Sequence, residues 1–243
     1  MTAITGPPPA VVKRGPPRQL AREATALRRL SPLGLAPRLL DARPAVLTSE
    51  LLPGSSRALD RLRPDDARAL GALVRRVHDV AKTATGGLPD WTTRARSLAG
   101  YRRRRIADML AAAGSDRRLA KRVVAVAGAA SDTDDPRPFR FLHGDLASAN
   151  ILWNPAPALV DWEFWRMGDP AEDLAYLAEI NALPAEVVAA IVAGYGHRET
   201  TVRIAGWRPL CALDIALWYR DRGDRSRMAQ LTERYRVMSP PTL

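Results

Sequence analysis

The chain of 243 residues has one cysteine, Cys211, so no disulfide can form within it and a reducing, cytoplasmic setting is expected. It has no apolar run long enough to span a bilayer, and its opening, MTAITGPPPAVVKRGPP, lacks the hydrophobic core of a signal peptide. Aromatics make up only 6% of the residues and are not interleaved with the basic ones, so no stacking platform for nucleic acid is visible. Lysine is scarce: Lys13, Lys82 and Lys121 stand against 34 arginines. The net charge of +11 therefore reflects an arginine- and alanine-rich composition more than a nucleic-acid-binding stripe. What is present, 47% hydrophobic and 26% charged residues without internal repeats, describes an ordinary globular chain able to bury a full core.

AVVKR (10–14) reads as a short strand closed by Gly15-Pro16-Pro17. Residues 18–30 read as a helix with Leu20, Ala24, Leu27 and Leu30 on one face. LLDAR and AVLTSELL read as two further strands before the break at Pro53-Gly54. From Pro64, which suits a first helical turn, helices are expected over 65–82, 92–114 and 116–130, then a loop at 131–138. Two very short strands follow at 151–153 and 158–160, then four helices near 170–181, 184–195, 202–221 and 224–237. Strands first and helices afterwards predict an α+β fold in two lobes.

The chemistry concentrates in FLHGDLASANILW (141–153) and LVDWE (159–163). Asn150 precedes the first strand of the short hairpin and Asp161 follows the second. Antiparallel pairing then sets a carboxamide beside a carboxylate, about 5 Å apart, both oxygen donors suited to Mg²⁺. Asp145, five residues before Asn150, lies in the loop entering the same strand end, near the metal but free to face a substrate. A carboxylate that accepts a hydroxyl proton, beside a metal that neutralises phosphate charge, is what phosphoryl transfer to a hydroxyl needs. From His143 to Thr200 nine acids face only Arg166 and Arg198, an acidic island in a basic chain where metal ions or a polycationic ligand are expected to collect.

HGDLASAN and LVDWE resemble the catalytic loop and metal-binding strand of the aminoglycoside phosphotransferase and choline kinase group, small-molecule relatives of the protein kinases. GDPAEDLAYLA (168–178) and ALGALVRRVHDV (69–80) resemble the same group, and the similarity runs from about Val11 to about residue 220. Gly144 where protein kinases carry arginine, and DWE where they carry DFG, separate the chain from protein kinases. The resemblance implies a two-lobed protein-kinase-like fold, with residues 1–54 the nucleotide-binding lobe and 55–243 a mainly helical lobe holding the catalytic loop and substrate site. It implies Asp145 as catalytic base, Asn150 and Asp161 holding Mg²⁺ on the nucleotide, and His143 bracing the loop. Asp169 and Asp173 would cap the next helix and tie it to that loop. Lys13 would contact the α/β-phosphates with Glu23 as its helix partner, and backbone groups of Glu50 to Leu52 would hold the purine.

Only twelve residues precede Lys13, too few for the strand, glycine turn and strand that cover the phosphates in this group, so a truncated N-terminal β lobe is expected. The implied activity is transfer of the γ-phosphate of ATP or GTP to a hydroxyl of a small molecule, with aminoglycoside-like or other antibiotics the leading acceptors. Alternatives are a kinase for a metabolite such as choline or homoserine, or a non-catalytic relative that binds nucleotide or ligand without turnover. Neither nucleic acid nor membrane is an expected partner. Elsewhere, His78, Trp207 and Trp218 read as packed residues, and the YRRRR run (101–105), Asp214, Asp221 and Asp224 as solvated surface.

Overall fold

The computed structural model describes residues 9–80, 97–128 and 139–234. The Pro-rich opening, the expected loop at 131–138, Lys82 and the ends of several expected helices lie outside these residues. β1 (Ala10–Arg14) and β2 (Leu39–Arg43) both pair antiparallel with β3 (Val46–Glu50), giving the order β1-β3-β2. Between β1 and β2 runs α1 (Pro17–Leu30), with proline in its first turn and Leu20, Ala24, Leu27 and Leu30 buried. Gly34, left-handed at φ 66°, turns the chain back toward the sheet.

The helical part begins with α2 (Pro64–His78), whose first turn carries Asp65 and Asp66 and whose buried stripe runs through Leu70, Val74 and Val77. It packs on α6 (Ala185–Tyr195) at very close range. A Cβ on Gly71 would lie 2.0 Å from the Ile191 carbonyl oxygen, and one on Gly194 would lie 2.0 Å from that of Arg68. α3 (Leu98–Ala113) starts at Ser97, whose hydroxyl accepts the Gly100 N–H at 3.1 Å. α4 (Arg117–Gly128), α5 (Pro170–Ile180), α7 (Arg198–Asp221) and α8 (Arg225–Arg234) complete the helices among the described residues.

Four short strands sit beneath the helices: β4 (Arg140–Leu142) pairs with β7 (Arg166–Gly168), and β5 (Ile151–Trp153) with β6 (Pro157–Leu159). β4 and β7 were not expected. Three residues with little exposed surface show no alternation from which a strand could be read. Phe141 stacks on Trp165 at 4.7 Å, and Trp162 and Trp165 are fully buried. This aromatic layer is the floor on which the loop from His143 to Asn150 rests. Among the described residues no helix is long and apolar enough to cross a membrane.

Candidate active site

The loop after β4 is held from below by one buried carboxylate. Asp173 accepts the backbone N–H of His143 at 2.7 Å and of Gly144 at 2.9 Å, and lies 3.1 Å from His78 Nε2. Burial works against the Asp173 charge, yet the hydrogen bond to His78 and the nearby Arg166 guanidinium hold its pKa below the usual range. The His143 ring spans loop and hairpin: Nε2 donates to the Val160 carbonyl at 3.0 Å and Nδ1 accepts the Asp145 N–H at 3.3 Å. These partners assign a neutral tautomer, and burial lowers its pKa accordingly. Gly144 adopts φ 85°, and a Cβ there would meet the Phe164 carbonyl oxygen at 2.2 Å and Arg166 Nη1 at 2.5 Å. A side chain at 144 has no room because Arg166 reaches in from β7.

Asp145 is thereby pinned at both ends. Its Oδ1 accepts the Tyr176 hydroxyl at 3.1 Å, and its Oδ2 accepts Asn150 Nδ2 at 2.9 Å. Tyr176 on α5, not singled out in the sequence, has its pKa raised by burial and by the Asp145 charge, so it remains a donor at ordinary pH. The hairpin extends by one bond past its strands, Val160 N–H to the Asn150 carbonyl at 3.0 Å, which leaves Asp161 as the next residue. Asp161 sits in the left-handed region at φ 63°, a conformation aspartate tolerates better than most residues. Asn150 and Asp161 do not hydrogen-bond each other. With Nδ2 turned to Asp145, Asn150 keeps Oδ1 without a hydrogen bond among the described residues, as Asp161 keeps Oδ2. Two open hard oxygens at the end of a rigid hairpin fit a magnesium ion.

Asp161 Oδ1 meets Lys13 at 2.7 Å. The same ammonium reaches Glu23 at 2.9 Å and Glu163 at 3.1 Å, so β1, α1 and the segment after β6 converge on one cation. Burial disfavours the Lys13 charge, but hydrogen bonds to Asp161 and Glu23 outweigh it and raise its pKa. Burial raises the pKa of Glu23 despite the Lys13 bond. Glu163 was read only as one acid of the island. A second tie joins α1 to this segment: Arg22 donates to the Trp165 carbonyl through Nε at 3.0 Å, and Trp165 Nε1 donates to the Arg22 carbonyl at 2.6 Å. Burial, with Arg166 nearby, lowers Arg22 to about 10.

In the segment expected to meet the purine, two backbone donors are already used. Glu50 N–H is used by Arg38 and Leu51 N–H by Pro9, because both residues finish the sheet. Leu52 keeps its backbone groups free of hydrogen bonds among the described residues.

Four acids of the island are not open to cations. Asp169, Glu172, Asp173 and Glu179 are all buried and all partnered. Asp169 caps α5 through the Ala171 N–H at 3.0 Å, then takes Arg203 at 2.8 Å and Trp207 Nε1 at 2.9 Å. It thus ties α5 to α7, and of the two aspartates it is Asp173 that ties α5 to the loop. Glu179 pairs with Arg208 at 2.5 Å. Glu172 takes Arg105 and Arg166, each at 2.8 Å, and the Tyr101 hydroxyl. Burial opposes the Glu172 charge, but the two guanidinium groups bring its pKa below the usual value. The YRRRR run is accordingly only partly solvated: Tyr101 and Arg105, one helical turn apart, face this carboxylate. Asp214, expected at the surface, pairs with Arg105 at 2.9 Å.

Above these groups opens a cleft of about 880 Å³ with Asp145, Asn150 and Tyr176 in its lining. Trp218, expected in the core, lines it with 45% of its surface exposed, while Trp207 is buried. The volume is that of a site for a drug-sized molecule.

Comparison with known proteins agrees with this geometry. Viomycin phosphotransferase from Streptomyces vinaceus is 33% identical over 103 residues, 39% of this chain and 35% of that protein's length. A choline/ethanolamine kinase family protein from Mesorhizobium loti superposes with a TM-score of 0.69 at 20% identity, over 99% of this chain and 90% of that one. The ternary complex of streptomycin, ATP and APH(2″)-IIa superposes with a TM-score of 0.68 at 12% identity, over 92% and 84% of the two chains. These structures share the two-lobed kinase-like fold. The profile of the phosphotransferase enzyme family matches residues 3–213, most of the chain and all of the segment from Lys13 to Tyr176 that carries the loop, the hairpin and the Lys13 cluster, and the protein belongs to that family.

Proposed function

We propose that the protein transfers the γ-phosphate of ATP, or of GTP, to a hydroxyl of a small molecule bound in the cleft, with Asp145 as the base. One observation carries the reading: the Asp145 carboxylate, fixed by Tyr176 and Asn150 and paired with no cation among the described residues, faces a molecule-sized cleft. Its neighbours Asn150 and Asp161 offer open oxygens to a divalent ion. Bound there with the nucleotide, Mg²⁺ would supply neutralisation of phosphate charge. Asn150 would then have two tasks, orienting the base through Nδ2 and holding the ion through Oδ1. Lys13, steadied by Glu23, would hold the phosphates as a compact ammonium. Residues 1–54 would form the nucleotide lobe and 55–243 the acceptor lobe, with Leu52 offering its backbone to the purine. His143 and Asp173 would support the loop, and Asp169 would act through α5.

The viomycin-named relative and the streptomycin-bound fold neighbour make antibiotics the first acceptors to assay, with choline and homoserine as metabolite controls. ADP release stimulated by an acceptor tests the activity. Asp145→Asn, of nearly unchanged shape, should lower turnover by about 10²–10⁴-fold while nucleotide binding persists. Unchanged turnover would remove Asp145 as the base.

A further inference from the structure

The sheet at the start of the chain and the helices after it meet at the segment from Asp161 to Trp165, and two ties of different chemistry cross that junction. The first is ionic: one ammonium, on Lys13, stands among the carboxylates of Glu23, Asp161 and Glu163 at 2.9, 2.7 and 3.1 Å. The second is a reciprocal clasp, made by the neighbour of Glu23 on α1. Arg22 donates through Nε and Nη2 to the Trp165 carbonyl, and Trp165 Nε1 donates back to the Arg22 carbonyl at 2.6 Å. Each side chain thus holds the other residue's backbone, which fixes both the distance and the rotation of α1 against the segment. The Trp165 ring is fully buried and stacks on Phe141, two residues before His143. Through it α1 is fastened to the floor of the catalytic loop.

The two ties respond differently to a nucleotide. On the proposed phosphotransferase reading, on which this inference rests, Asp161 is needed by the metal and Lys13 by phosphate. Both belong to the ionic tie, and Glu23 is then left to steady Lys13 alone. The clasp uses a guanidinium, an indole and two backbone carbonyls, none of which that reading assigns to metal or nucleotide. Glu163 also favours the Arg22 charge, so a cation stays near that carboxylate when Lys13 is drawn to phosphate. We propose that Arg22 and Trp165 are positioning residues: their clasp holds α1 in place independently of Lys13, so that Glu23 stays where it can steady Lys13 when metal and phosphate loosen the ionic tie.

The Trp165 indole N–H reads the clasp directly, because its acceptor is a backbone carbonyl of α1. Its magnetic resonance signal is the one that Trp165→Phe removes. Lys13→Met with Glu23→Gln abolishes the ionic tie without stranding Glu23 beside two other carboxylates. In the absence of nucleotide this pair should change solvent exchange of the indole N–H by less than about threefold, and adding Arg22→Ala should speed it by about tenfold or more. Amides of α2 and α6, which pack on each other, should keep their exchange and control for folding. By calorimetry, Arg22→Ala and Trp165→Phe should each weaken Mg·ADP binding about fivefold or more, but less than about twofold where Lys13 and Glu23 are already replaced. An indole N–H that exchanges fast once the ionic tie is gone, or slowly after Arg22→Ala, overturns the proposal. So does Mg·ADP affinity that holds in the clasp variants while their unfolding midpoints fall, which is a role in stability alone. Equal weakening in both backgrounds assigns Arg22 to direct nucleotide contact and also overturns it. If the native protein binds no Mg·ADP, the phosphotransferase reading fails, and the exchange comparison, made without nucleotide, still decides whether the clasp holds α1.

Discussion

At the scale of single residues, the site depends on groups that hold Asp145 more than on Asp145 alone. Tyr176 supplies one of two hydrogen bonds to that carboxylate and is itself mostly buried, so its hydroxyl restricts the base's rotation. Tyr176→Phe keeps the ring and removes only the donor. It should lower kcat about tenfold and leave the nucleotide KM unchanged, since orientation of the base is lost and phosphate binding is not. A parallel change in both constants would show a general loosening of the loop instead. Gly144 presents the opposite case, a residue defined by what it lacks. Gly144→Ala would push a methyl into the Phe164 carbonyl at a positive φ, so the loop must move. Stability should fall by about 2 kcal/mol and kcat by about a hundredfold, the cost of displacing a base by an ångström. Denaturant titration beside single-turnover kinetics separates the two effects.

At the scale of elements, α5 is the organiser: Asp169 fastens it to α7, Asp173 to the catalytic loop, Glu172 to α3 and β7, and Tyr176 to the base. Glu172→Ala leaves Arg105 and Arg166 near each other with their buried carboxylate gone. Removing one partner of a buried ionic group costs about 3–5 kcal/mol, which for a protein of this size lowers Tm by about 10 °C. A loss under about 1 kcal/mol would mean that water or Asp214 takes over the pairing. The loop from His143 to Asn150 and the hairpin to Asp161 were legible because their chemistry is contiguous and their spacing fixes geometry. The α+β order was legible because helical periodicity is strong after residue 64. The buried part of the acidic island misled because sequence shows one side of each ion pair. Arg105, Arg203 and Arg208 arrive from helices remote in the chain. Tyr176 and Glu163 were missed for a related reason: which face of α5 meets the loop, and where the backbone turns after the left-handed Asp161, are set by packing. The residues marked by resemblance divide in the same way. Lys13, Glu23 and Asp161 meet at one point, whereas Glu50 gives its backbone N–H to Arg38.

At the scale of the whole molecule, many charges are buried in one framework, and this gives stability a definite pH dependence. His143 is held neutral by burial, so its folded pKa lies below the unfolded value of about 6.5. As pH falls through about 6.5 the unfolded chain takes up a proton that the folded one refuses, and stability begins to drop. Asp173 and Glu172 have depressed folded values. Their stabilisation is complete above the unfolded carboxylate range, near 4, and is lost as pH falls through the lower folded values. Glu23 has the opposite sign: its raised folded pKa lets the folded state bind a proton first, which offsets part of the early loss. Tm measured without nucleotide should therefore be level between about pH 7 and 8.5, decline gently below about 6.5, and fall steeply below about 4.5. The decisive window is the gentle decline below about 6.5, where His143 and Glu23 oppose each other. A Tm that rises on acidification from 7 to 5 would mean either that Glu23 outweighs His143 or that the ring of His143 accepts a proton in the folded state. In the second case its Nδ1 would become a donor facing the Asp145 N–H, the bond that shapes the catalytic loop would be lost, and turnover would have to fall over the same range. Level turnover and falling Tm between pH 7 and 5.5 is the expected pair of outcomes, because it places the proton on the unfolded chain and leaves the loop intact.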